Sequence, residues 1–208
     1  MGDKRNVLDL FEAQKDFVEE KISSGIEQHR KGSGKIKIVH KDGKPVAGIK
    51  VRLTQKSHQF RFGANLFMLD ELETEDEHLQ AEIIEKLYSI WFSHPNVEQI
   101  IYWNLVDGYA HLWDPDPVKI AASQGNMTIG ENYYYGGLLR FDLSPKPAYL
   151  KIKELIQERW HTELEIVTDK DGCADFRGFY GDYEVAVGND TQTLSHLKNQ
   201  ENIHTLTI

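Results

Sequence analysis

The sequence predicts an α+β protein. A β-sandwich is built from N- and C-terminal strands, a partial (β/α) barrel wedge is inserted between them, and an amphipathic helix leads the chain. Three observations predict it. Apolar residues recur at helical spacing over residues 6–30, and alternate at strand spacing over 35–66 and again beyond 160. Between the strand clusters the pattern becomes helix, strand, long loop and helix, the repeating parts of an α/β barrel. Each strand cluster is too small to bury an apolar face alone, so the two pack most economically on each other.

The elements divide the chain into residues 1–34 (helix and joint), residues 35–66 together with 161–208 (sandwich) and residues 67–160 (wedge). In the first helix Val7, Leu10, Phe11, Val18, Ile22 and Ile26 form the apolar stripe. Ser23-Ser24-Gly25 is a candidate break, and Lys31-Gly32-Ser33-Gly34 reads as a flexible joint. Ile36, Ile38 and His40 alternate with lysines, Asp42-Gly43 supplies a hairpin turn, and Val46 to Leu53 alternates again. Gln59 to Leu66 is a third strand. In the wedge, Leu79, Ile83, Ile84, Leu87, Ile90 and Trp91 define a helix that His94-Pro95 stops. A strand over Gln99 to Leu105, a loop from Asp107 to Phe141 and a helix from Pro147 to Trp160 follow. Strand grammar then returns at Leu164–Val167, Phe176–Phe179 and Tyr183–Val187, with turns at Asp171-Gly172 and Gly188-Asn189-Asp190.

Length and charge exclude several classes. At 208 residues the chain is shorter than the roughly 250 of a complete (β/α)₈ barrel. With 24 Lys+Arg against 33 Asp+Glu the net charge is −9, which argues against non-specific nucleic-acid binding. No apolar run approaches the ~18 residues of a membrane span, and Met1 to Leu10 has no signal-peptide core, so a cytoplasmic protein without a membrane partner is expected. The single cysteine, Cys173, cannot form an intramolecular disulfide and reads as a plain structural thiol. The nine histidines have no metal-ligand spacing, and the acidic run Asp70 to Glu77 lacks the calcium-loop pattern. No metal or cofactor is expected.

The wedge carries longer motifs. Phe92-Ser93-His94-Pro95-Asn96-Val97-Glu98 and Ile101-Tyr102-Trp103-Asn104-Leu105-Val106-Asp107-Gly108 resemble the last barrel strand of glycoside hydrolase family 10, the endo-1,4-β-xylanases. Gly137-Leu138-Leu139 with Asp142-Leu143-Ser144-Pro145-Lys146-Pro147-Ala148-Tyr149 resembles that family's final loop and helix. Lys44-Pro45-Val46 through Phe60-Arg61-Phe62-Gly63-Ala64-Asn65 resembles its first strand, and Arg177 to Val185 a sandwich module appended to some members. The resemblance implies a retaining hydrolase with two glutamates, an acid/base and a nucleophile. Here the pattern departs. Sequence like that of the first strand (Gly63 to Leu72) steps to sequence like that before the last strand (Gln80 to Trp91) across Glu73-Thr74-Glu75-Asp76-Glu77, and both glutamate segments are missing. An internal deletion, genuine or introduced in gene assembly, accounts for the step. Thr162-Glu163-Leu164-Glu165 resembles the nucleophile motif but falls at the opening of a sandwich strand.

The resemblance therefore implies a protein related to xylan degradation that is catalytically incompetent alone and has at most weak β-glycan binding. Alternatives are a hydrolase completed by a chain supplying the missing strands, through the open edges of the wedge, and a non-catalytic interaction module. By resemblance Trp103 and Trp113 are the floor and lid of a sugar site, since sugar rings stack apolar C–H faces on flat indoles. Asn65 faces the same cleft, Tyr134 sits in the aromatic patch Tyr133-Tyr134-Tyr135, and Asp107 holds a sugar hydroxyl or pins the loop. The expected ligand is a β-1,4-linked polysaccharide or oligosaccharide.

Overall fold

The structure, a computed structural model, describes residues 6–63, 77–102, 105–107, 118 and 136–208. In chain order the elements are α1 (Asn6–Ala13), α2 (Lys15–His29), β1 (Lys31–Val39), β2 (Lys50–Gln55), β3 (Arg61–Gly63), α3 (Glu77–Ser93) and β4 (Gln99–Ile101). Then come α4 (Pro147–Glu154), which runs into a π-helical turn Leu155–Arg159, and β5 (Glu163–Val167), β6 (Cys173–Phe179), β7 (Gly181–Val187), β8 (Asp190–His196) and β9 (Ile203–Thr207). The fold is mixed α+β with three open sheets, and no barrel closes among the described residues.

The chain divides into two units. One comprises Met1–Ile22, Phe62–Phe92 and Asn96–Arg159; the other comprises Ser23–Arg61, Ser93–Pro95 and Trp160–Ile208.

The second unit holds a three-stranded sheet, β6-β1-β9, and a four-stranded sheet, β5-β2-β7-β8. β1 runs antiparallel to β6, with Gly34 opposite Phe176, and parallel to β9, with Ile36 opposite His204. β2 lies antiparallel between β5 and β7. Alternation puts Ile36 and Ile38 of β1, Val51 and Leu53 of β2 and Tyr183 and Val185 of β7 into one core that both sheets share. Each such fully buried aliphatic contributes about 1.5–3 kcal/mol.

In the first unit α3 buries Leu79, Ile83, Ile84, Tyr88 and Phe92. Leu8 of α1 packs on Leu79 and Ile83. The helix stops at Ser93, before the His94-Pro95 pair, because the residue preceding proline disfavours helical backbone. β3 and β4 pair as a two-stranded sheet, continued by the Tyr102 N–H donating to the Gly63 carbonyl at 2.7 Å.

Several expectations are corrected. Lys31-Gly32-Ser33-Gly34 is no joint but the start of β1. Its glycines answer to packing: a Cβ on Gly34 would lie 2.6 Å from the Phe176 ring, and one on Gly32 would lie 2.5 Å from the Tyr180 hydroxyl. The helical segment breaks at Gln14, not at Ser23-Ser24-Gly25, and the division between units falls inside α2. In α1 the inward residue is Leu8, whereas Leu10 is 75% exposed. Leu8 and Phe11, three apart, share a face that Leu10 cannot reach. Asp42-Gly43 does turn the chain, with Gly43 at φ +84°, but it opens no hairpin. β6 and β9 occupy both edges of β1, so only the Val39–Pro45 bridge forms and β2 joins the other sheet. Within Gln59 to Leu66 the described strand is only Arg61–Gly63, and it pairs with β4 in place of the sandwich. Phe62 turns to Phe92 of α3, ring centroids 5.7 Å apart.

Candidate functional site

The site region grows from the end of β4. Tyr102 follows the strand, and its buried hydroxyl donates to the Gly136 carbonyl at 2.6 Å. Gln80, fully buried on α3, donates from Nε2 to the same carbonyl at 3.3 Å and to the Tyr102 hydroxyl at 3.2 Å. Beyond Tyr102 the main chain pairs with the returning segment: Leu138 and Leu139 both donate to the Leu105 carbonyl, and Asp107 donates to the Leu139 carbonyl. The two ends of the long loop are thereby tied together.

Asp107 is the knot. Its Oδ1 accepts the Gly137 N–H at 2.8 Å and the Lys146 ammonium at 2.9 Å, and its Oδ2 lies 2.7 Å from the same ammonium. The side chains of Asp107 and Lys146 are 6% and 2% exposed. Burial pushes the Asp107 carboxyl above the usual carboxylate range, and the facing ammonium opposes that shift. The geometry also explains Gly137, where a Cβ would lie 2.6 Å from the Asp107 nitrogen. With both oxygens engaged inside the protein, Asp107 pins the loop.

A second clamp lies nearby. Arg140 grips Glu77 with two parallel bonds, Nε to Oε1 at 2.9 Å and Nη2 to Oε2 at 2.5 Å, the geometry that makes Arg–carboxylate pairs specific. Its Nη1 donates to the Pro145 carbonyl at 3.0 Å, which holds the turn leading to Lys146 and α4. Pro147 begins that helix where the missing N–H costs nothing.

Of the sequence-derived site residues, Asp107 alone lies among the described ones; Trp103, Trp113, Asn65 and Tyr134 lie outside them. Lys146, Gln80, Glu77 and Arg140 received no role from the sequence. Lys146 had a signal: a lysine between Pro145 and Pro147 has little freedom to leave the position its neighbours set. The Thr162-Glu163 pair is structural. Thr162 is buried, with its N–H donating to Gln55 Oε1 and its Oγ1 accepting the Phe179 N–H. Glu163 is exposed at the start of β5, paired in register with Thr54. Cys173 is half-buried at the start of β6, with only a weak contact from Sγ to the Asp171 carbonyl at 3.7 Å.

No protein-family model matches the chain. A similar protein is the anti-sigma-I factor RsgI6 of Acetivibrio thermocellus, 32% identical over 114 residues. That match takes in 55% of this chain but only 12% of the other protein's length. Among solved structures, the pilus backbone protein RrgB of Streptococcus pneumoniae aligns over 85% of this chain and 40% of its own, with 9% identity and a TM-score of 0.29. A likeness that slight carries no argument. No helix among the described residues is long and apolar enough to cross a membrane.

Proposed function

We propose that this chain is a shortened relative of glycoside hydrolase family 10 that does not hydrolyse glycans on its own. It keeps at most weak contact with β-1,4-linked polysaccharide, through Trp103, Trp113, Asn65 and Tyr134. The observation that carries this reading is the Asp107–Gly137–Lys146 knot. It joins residues of the two segments that resemble the family's last strand and its final loop and helix. Loss of both glutamate segments removes the proton donor and the covalent route together, so hydrolysis falls to background.

The test is an assay of the purified chain on xylan, with thermal-shift titrations of xylo- and gluco-oligosaccharides. The expected outcome is no reducing-sugar release, and a small shift that is lost in Trp103→Ala and Trp113→Ala. Sugar release abolished by Glu163→Gln would overturn the incompetent reading. Absence of any shift would overturn the binding half.

A second reading is a non-catalytic interaction module. It is supported by the 114-residue similarity to part of a protein named an anti-sigma-I factor. Its partner would be a sigma-I-type factor, and co-elution of the two purified chains on size exclusion tests it; separate elution counts against it.

A further inference from the structure

The second unit buries a histidine that its candidate functions do not use. His196, the last residue of β8, is fully buried, and its Nε2 lies 3.2 Å from the Gly32 carbonyl of β1. Because β8 and β1 belong to different sheets, this hydrogen bond runs from one sheet to the other. A carbonyl only accepts, so Nε2 carries the proton, and the neutral ring has its bare nitrogen at Nδ1. That Nδ1 has no hydrogen-bond partner. The ring stacks on Tyr180 with centroids 5.1 Å apart, lies 5.0 Å from the Phe176 ring, and meets Tyr183 edge-on at 6.1 Å. Gly34 closes the remaining side, where a Cβ would sit 3.2 Å from Nδ1. His204 of β9 repeats the pattern, with a buried Nε2 that also lacks a partner.

We propose that His196 is an acid-sensitive tie between the two sheets: neutral, it joins β8 to β1, and when a proton arrives at Nδ1 the β8–β9 edge opens. The charged residues of the strands around it alternate outward. Lys31 and Lys35 of β1, Asp175 and Arg177 of β6 and Asp182 of β7 sit at half-buried or exposed positions, as does Glu184 of β7. Lys35 pairs with Asp175, Lys31 and Arg177 with Glu27, and Glu184 with Lys56, while Asp182 accepts from Ser57 and Ser195. The titratable groups that face His196 are the phenols of Tyr180 and Tyr183 and the ring of His204.

Burial holds His196 below the usual histidine range. The carbonyls of Gly32 and Gly178 and the Asn202 side chain oppose this, and His204 adds to it. Burial lowers His204 as well. The sign follows: a ring that resists protonation in the folded state binds more protons unfolded, so stability is held above the ordinary value of about 6.5 and drains away below it. Edge strands yield first, since among the described residues β8 pairs only with β7 and β9 only with β1.

The experiment is site-resolved amide hydrogen exchange on the full chain, between about pH 8 and about pH 5, with histidine ring resonances followed by NMR. Above about pH 6.5 the opening constants of β8, β9 and the start of β1 should be flat, and below it they should rise about tenfold for each unit that pH falls, per histidine, once corrected for intrinsic exchange. His196→Phe should remove one proton's worth of that slope. Should His196→Phe not fold, the wild-type exchange and ring titration decide alone. Opening constants that stay flat below about pH 6.5, a His196 ring that titrates at or above the ordinary value, or an unchanged slope in folded His196→Phe would each overturn the proposal.

Discussion

Lys146 and Leu143 show two opposite costs met within four residues of each other. A buried ion pair adds little net stability over a hydrophobic replacement, but breaking it leaves an unpaired charge. Lys146→Met should therefore cost about 3–5 kcal/mol in urea unfolding. The Asp107→Asn, Lys146→Met double variant should lose much less than the sum of the singles, and strict additivity would disprove the pairing. Leu143 sits at φ +67° while 59% exposed, a left-handed backbone that a leucine adopts at a cost. Asp142 stabilises that turn by accepting the Ser144 N–H at 2.9 Å. Leu143→Gly should raise stability by about 1 kcal/mol, read as a later denaturant midpoint. Neither cost is written in residue type. From sequence Asp107 reads as either a sugar-hydroxyl holder or a loop pin, because its partner Lys146 is 39 positions away and no local pattern links them.

Among the elements, α3 was the most legible: long apolar spacing and a proline stop are both local signals. α1 was half legible, because with Val7, Leu8, Leu10 and Phe11 so close together several faces compete and the partner helix selects Leu8. β8 and β9 passed unread. Asp190 to His196 has one aliphatic residue, Leu194, and its inward positions are set by pairing with β7. The start of β1 is hidden in the sequence, because Gly32 and Gly34 imitate a linker. The same close packing recurs where β7 begins: a Cβ on Gly181 would fall 1.8 Å from the Ser57 carbonyl oxygen. Main chain cannot swing aside as a side chain can, so Gly181→Ala should destabilise by at least about 1–3 kcal/mol. An unchanged thermal midpoint would show that the Ser57 loop moves freely.

For the whole molecule, the governing fact is that the second unit is sewn from segments far apart in the chain, chiefly Ser23–Arg61 and Trp160–Ile208. β1 pairs with β6 and β9, and β2 with β5 and β7, so of its strand pairings only β7–β8 is local. A fragment of residues 160–208 should therefore show no stable sheet by circular dichroism, and adding a fragment of residues 23–61 should restore it. A fragment 160–208 that folds alone would contradict this dependence. The sequence by itself determined the α+β class, the strand-rich stretches before and after the helical middle, and the helix that His94-Pro95 stops. Those features rest on local periodicity, turn chemistry and residue identity. Only the tertiary structure decided which sheet each strand joins, that Asp107 is matched by Lys146, and that His196 spans two sheets. Such choices depend on which distant groups can fill a strand edge, neutralise a buried charge or pack against a glycine, and distance along the chain carries no record of them.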